Sequence, residues 1–183
     1  MARRLRNHTI WIFALFCVFL PATGQDAARV PATHGTSLAG SEVILPDALK
    51  GKVNIIVIGF SHSSQEQIAN WGRLIAADYG KSTDINYFEV AMLTGVPKMM
   101  RGVMIKRMAS AVPFGQRDHY VPVLEEDPTW RATAHYDKSD DAYVLLVDRA
   151  GLVLWQMEGD CTNVAYANFK REVEKRLRVT DAQ

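Results

Sequence analysis

Cysteine is nearly absent from this chain: 183 residues contain two, Cys17 and Cys161. The pair cannot be a Cys-x-x-Cys motif, and Cys17 lies in an N-terminal leader, so one thiol is left with no internal disulfide partner. A Gly-rich phosphate loop is missing, which leaves nucleotide binding without support. No Gly-x-Ser-x-Gly elbow marks a serine hydrolase. His34, His62, His119, His135 and Cys161 lie far apart with no i, i+4 pair, so neither a metal nor another cofactor is expected. An excess of one charge is lacking as well. Lys and Arg number 21 against 20 Asp and Glu, and residues 1–24 hold three Arg and no acid, leaving a net charge of −2 beyond them. Nucleic acid is excluded as an expected partner.

Long apolar runs are also scarce. The uncharged stretch Ile10 to Leu20 falls short of the roughly 20 residues of a spanning helix. Arg3, Arg4 and Arg6 precede it and Pro21-Ala22-Thr23-Gly24-Gln25 follows, the pattern of a signal peptide over 1–24 cleaved after Gly24. Export to a periplasmic or secreted location is the reading. The alternatives are an uncleaved anchor or a mitochondrial presequence, whose Arg-rich, acid-free start is similar but whose amphipathic spacing is missing. Phe16 before Cys17 argues against a lipoprotein.

The remainder, 48% apolar over the whole chain, suffices for one core. Residues 25–41 mix Ala, Gly, Ser, Thr and Pro without period and predict a flexible arm. The domain is expected over 42–178, with a tail at 179–183. Residues 53–59 form a Val and Ile run broken only by Asn54, as in a strand covered on both faces. Ile68, Trp71, Leu74 and Ile75 recur at helical spacing up to Gly80. Strands follow at 84–93 and 121–124, with a helix from Pro97 to about Met108 between them, and one or two helical turns span Trp130 to His135. A hairpin joins 143–147 to 152–157 through Asp148-Arg149-Ala150-Gly151, and a helix from Val164 to Leu177 ends the pattern.

The order β-α-β-α-β-β-α predicts an α/β fold, a central mixed sheet flanked by helices, and is that of thioredoxin-like proteins. In those proteins the turn after the first core strand carries Cys-x-x-Cys at a helix N-terminus. Here Phe60-Ser61-His62-Ser63-Ser64 puts serine at both positions. A serine hydroxyl forms no disulfide and needs a base before it attacks. Ser64 and Gln67 fit a helix capping box, and adjacent Ser61 and His62 are poorly placed as nucleophile and base. Copper delivery, which uses Cys-x-x-x-Cys on this loop, is disfavoured. The proline that redox members place before the hairpin is missing from Ser139-Asp140-Asp141-Ala142-Tyr143.

Residues 97–162 resemble the mitochondrial ATP synthase assembly factor family. The matching residues are Met104-Ile105-Lys106-Arg107, Pro113, Gln116 to Tyr120, Tyr143 to Asp148, Leu154-Trp155 and Gly159-Asp160, with Phe60-Ser61 and Trp71 fitting the opening. The resemblance implies a non-redox fold that assists biogenesis of a membrane sector, and it brings no catalytic residues. The chain departs from the family in being shorter.

A protein client, such as an integral membrane subunit, is therefore the expected partner. Four of seven methionines fall between Lys98 and Met108 beside Lys98, Arg101, Lys106 and Arg107. Flexible thioethers suit adaptable contact, which nominates Met99, Met100, Arg101, Met104, Arg107 and Met108 as the binding face, with peripheral contact to lipid headgroups through the cations. The competing reading packs Met100, Val103, Met104 and Ile105 on the sheet. Two other functions stand beside this one: an exported thiol oxidoreductase or peroxidase-like enzyme using Cys161, whose flanking Glu158 and Asp160 would raise its pKa, and a periplasmic ligand-binding domain using the methionine surface.

Overall fold

The computed structural model describes residues 28–125 and 127–181; the signal peptide expected over 1–24 lies outside them. The described chain forms β1 (Thr33–Thr36), β2 (Glu42–Leu45), β3 (Val53–Gly59), α1 (Gln65–Tyr79), β4 (Ile85–Met92), α2 (Lys98–Ala111), β5 (Tyr120–Val123), α3 (Asp127–Thr133), β6 (Ala142–Val147), β7 (Val153–Glu158) and α4 (Asn163–Asp181). Five strands make one sheet in the order β5-β4-β3-β6-β7. β3 is parallel to β4 and β4 to β5, while β6 runs antiparallel to β3 and β7 to β6. The sheet is mixed, as the element order predicts.

Alternation along the central strands divides the core in two. Ile55, Val57, Tyr87, Val144 and Leu146 face Ile68, Trp71 and Ile75 of α1 and Phe169 and Val173 of α4. Ile56, Ile58, Val90, Leu145 and Val147 face Val30, Leu45, Leu49 and Trp130. Asn54, the one polar residue in β3, is fully buried and satisfied locally. Its Oδ1 accepts the Gly51 N–H at 2.9 Å and its Nδ2 donates to the Gly51 carbonyl at 3.0 Å. The hairpin turn closes on Asp148, whose Oδ1 accepts the N–H groups of Ala150 and Leu152, both at 2.8 Å. Gly151 there takes φ 76°, where a side chain would be strained.

Two boundaries differ from the sequence reading. Within the stretch expected to be a flexible arm, β1 pairs with β2, Val30 and Thr33 are buried, and Trp130 Nε1 donates to Thr33 Oγ1 at 3.0 Å. Short, mixed segments of this kind show no period, and only the partner strand and a tryptophan from α3 reveal them. The segment continues past β1 to the sheet's edge. The Leu38 N–H donates to the Tyr120 carbonyl at 2.9 Å, and at Gly35 a Cβ would sit 2.6 Å from Val121 Cγ1. At the other end α4 runs on to Asp181, so residues 179–181, read as tail, extend the helix, with the Thr180 hydroxyl donating to the Arg176 carbonyl at 3.0 Å.

Candidate functional site

β3 ends at Gly59 and the chain turns through Phe60 to Ser64 into α1. The close approach depends on Gly59, where a Cβ would meet Ile68 Cδ1 at 2.0 Å and Ser64 Oγ at 2.6 Å. Both serine hydroxyls are engaged in holding this turn. Ser61 Oγ donates to the Ser139 carbonyl at 2.7 Å, tying the turn to the loop before β6, and accepts the Ser64 N–H at 3.3 Å. Ser64 Oγ donates to the Ser61 carbonyl at 3.0 Å. The expected capping box is therefore not formed. Ser64 makes no side-chain cap, and Gln67 Oε1 instead accepts the Ala142 N–H across the groove at 2.9 Å. The geometry favours this because Ala142 opens β6 beside the turn, and its N–H would otherwise lack a partner. Among the described residues no histidine hydrogen-bonds either hydroxyl, so neither serine has the base a nucleophile needs.

Cys161 sits half-buried two residues before α4 as a free thiol. Burial pushes its pKa up to about 11, with Arg73 pulling weakly the other way. The direction matches the sequence reading, but the cause is desolvation and not the flanking acids. At neutral pH the thiol keeps its proton and is a poor nucleophile. Iodoacetamide is accordingly expected to alkylate Cys161 slowly, with a rate midpoint above pH 10, followed on the Cys161 peptide by mass spectrometry. A midpoint below pH 8 would overturn this assignment and revive the thiol enzyme.

Helix α2 carries the methionine cluster, and the structure divides it. Met99, Met100 and Val103 are 88%, 52% and 58% exposed. Met104 and Ile105 are partly buried against the core, and Met108 is buried. Met108 is thus a correction to the expected surface set, because the helix end turns toward the sheet and presses it into the core. Arg101 is bound to the helix's own approach, donating through Nε to the Val96 carbonyl at 3.0 Å and through a terminal nitrogen to Thr94 at 3.4 Å. Lys98, Lys106 and Arg107 are exposed. The packed reading of Met100 and Val103 does not hold; both face outward.

Between α1 and α2 lies a cleft of about 420 Å³, walled by Ala69, Met104, Met108, Val112 and Tyr120, with Arg73 and Arg107 also lining it. Glu89 of β4 forms part of its wall, and sequence reasoning missed it. Glu89 is 3% exposed, and among the described residues its Oε1 meets no hydrogen-bond partner. Burial pushes its pKa up to about 8. Gly72 of α1 makes room for it, since a Cβ there would stand 2.3 to 2.4 Å from the carboxyl atoms. Two signals were available: Glu89 is the lone acid on the strand face of Ile85, Tyr87 and Ala91, and Gly72 interrupts a helix on its buried side, a position that calls for a packing reason.

The order of elements, the serine-bearing turn and the methionine helix all lie within one stretch that matches a family profile described as ATP10 protein, over residues 21–175. The chain belongs to the ATP10 protein family. No curated protein sequence matches this ATP10 family member. Among solved structures it is similar to BsSco, a member of the Sco family of cytochrome c oxidase assembly proteins, with a TM-score of 0.59 at 17% identity over 82% of this chain and 94% of that one. It is also similar to a protein assigned as thiol:disulfide interchange protein DsbE from Chlorobium tepidum, with a TM-score of 0.55 at 16% identity over 84% and 96% of the two chains. The exposed lipoprotein thioredoxin of Streptococcus pneumoniae gives 0.52 at 14% identity over 78% and 99%. These likenesses establish the thioredoxin-like fold of the ATP10 chain. Among its described residues no helix is long and apolar enough to cross a membrane, and no group of three or more His, Cys, Asp or Glu could hold a metal ion.

Proposed function

We propose that this protein is a redox-inactive, thioredoxin-like assembly factor that binds a polypeptide client and assists assembly of ATP synthase, with an integral membrane subunit as the client. The observation that carries the reading is the fate of the two redox positions: Ser61 and Ser64 spend their hydroxyls on the Ser139 and Ser61 carbonyls, so the turn serves as a fixed scaffold element. Beside it α2 presents Met99, Met100 and Val103 to solvent. Exposed thioethers adapt to varied apolar partners, and Lys98, Lys106 and Arg107 leave the same face able to rest against anionic headgroups while a client is held. Family membership supports the assembly role, and with it the mitochondrial alternative for residues 1–24, a leader ahead of a single domain.

A photo-crosslinking amino acid placed at Val103 in cells is expected to capture one membrane subunit of ATP synthase, identified by mass spectrometry. The same group at Lys175, exposed on α4, is expected to capture none. Equal capture from both positions, or none from Val103, would remove the α2 face as the client surface.

A further inference from the structure

The cleft between α1 and α2 combines apolar walls with one buried carboxyl that meets no cation among the described residues. Oε1 of Glu89 has no partner among the described residues. Arg73, exposed, donates to Asn70 Oδ1 at 3.2 Å, and Arg107 is also exposed. Burying an ionisable group without a counter-charge is costly even when it holds its proton, yet the fold accommodates it: Gly72 opens the space its carboxyl occupies. A carboxyl that keeps its proton for want of a counter-charge, beside a cleft of about 420 Å³, is complementary to a ligand that brings a positive charge and lets it ionise.

We propose that this cleft is a binding site for one lysine side chain presented from an apolar segment of a partner polypeptide, with Glu89 as its counter-ion. The proposal rests on the client-binding reading and specifies what the client must offer. A lysine has a methylene stem that can lie along Met104, Met108, Ala69 and Val112, with its ammonium reaching the carboxyl. Its compact charge needs no planar fork of acceptors, unlike a guanidinium. Arg73 and Arg107 add selectivity. They repel a second cation and attract acids flanking the apolar segment, so polybasic sequences are rejected and an isolated lysine is accepted.

The test uses the full chain labelled with ¹³C at its methionine methyls. It is titrated with the peptide acetyl-Asp-Leu-Leu-Lys-Leu-Leu-Asp-amide and with the same peptide carrying norleucine in place of lysine. The lysine peptide is expected to shift the Met104 and Met108 methyls, to leave exposed Met99 unmoved, and to bind about tenfold or more tightly than its norleucine twin, as a desolvated charge pair can provide. Glu89→Gln, close in size and shape, is expected to abolish that preference while leaving the norleucine peptide's affinity unchanged. Equal binding of the two peptides, a preference that survives Glu89→Gln, or no binding of either would overturn the proposal. Shifts confined to Met99 and Met100 would overturn it too, while leaving the exposed α2 face as the client surface.

Discussion

Trp71→Ala is expected to cost about 4 kcal/mol of folding stability, the loss typical of a large aromatic removed from a packed core. Trp71 is fully buried, and its ring lies 5.5 Å from Phe169 and 6.0 Å from Tyr166 between centroids. It is also a hydrogen-bond donor: Nε1–H reaches the Gly159 carbonyl at 3.0 Å, so truncation leaves that acceptor without its protein partner as well. One residue thereby joins α1, α4 and the end of β7. Against a typical total stability of about 5–15 kcal/mol, the variant is expected to sit near its folding threshold at 37 °C. Urea unfolding of the two chains measures the difference, and a loss below about 2 kcal/mol would show that the α1–α4 layer repacks around the gap.

Glu89→Gln should act in the opposite direction, and with a dependence on pH. In the folded chain burial holds the carboxyl's pKa at about 8 against an ordinary 4.5. Between those values the unfolded chain releases the proton and the folded chain retains it. Stability fully present below the unfolded value is therefore lost as pH rises through the folded one, and by pH 7 this one group has lowered the folding stability by about 3 kcal/mol. Glutamine, which never ionises, removes that term. The variant is expected to be more stable than the parent by about 3 kcal/mol at pH 7, with the gap shrinking toward zero near pH 4.5. Denaturant midpoints across pH 4.5 to 9 test this. A gap that stays constant with pH would mean that Glu89 does not carry the titration assigned to it.

The two variants separate what the amino-acid pattern reveals from what only packing reveals. Trp71 was legible: its spacing with Ile68, Leu74 and Ile75 marks the buried stripe of α1. The β3 run and the β6–β7 hairpin were legible for similar reasons, since burial on both faces and a Gly-bearing turn leave strong local traces. The serines at 61 and 64 were legible as the absence of a Cys-x-x-Cys pair, but their hydrogen bonds were not. Those depend on Ser139, 78 residues from Ser61, and on Ala142 drawing Gln67 away from the helix end. α2 was misjudged because its apolar and charged residues do not segregate into a clean stripe. Met108 turns inward while Met100 and Val103 turn out, as the helix axis and not the composition decides. Glu89 was hidden because an acid in an apolar strand reads as an interruption until the opposing glycine is seen.

The segment from Thr33 to Leu38 bears on how the proposed client would be met. Many extended peptides are recognised by adding a strand to an open sheet edge, and an unguarded edge also invites self-association. Here β5 is the terminal strand on one side, and the chain's own Leu38 takes the Tyr120 carbonyl while Gly35 brings β1 hard against Val121. The donor–acceptor row at that border is already partly spoken for by a tethered neighbour. Backbone templating, which would accept almost any extended sequence, is restricted there. For a client bound as proposed, discrimination at this side of the sheet would fall instead to side chains read between helices, where the composition of the visitor, and not merely its extended shape, decides whether it stays.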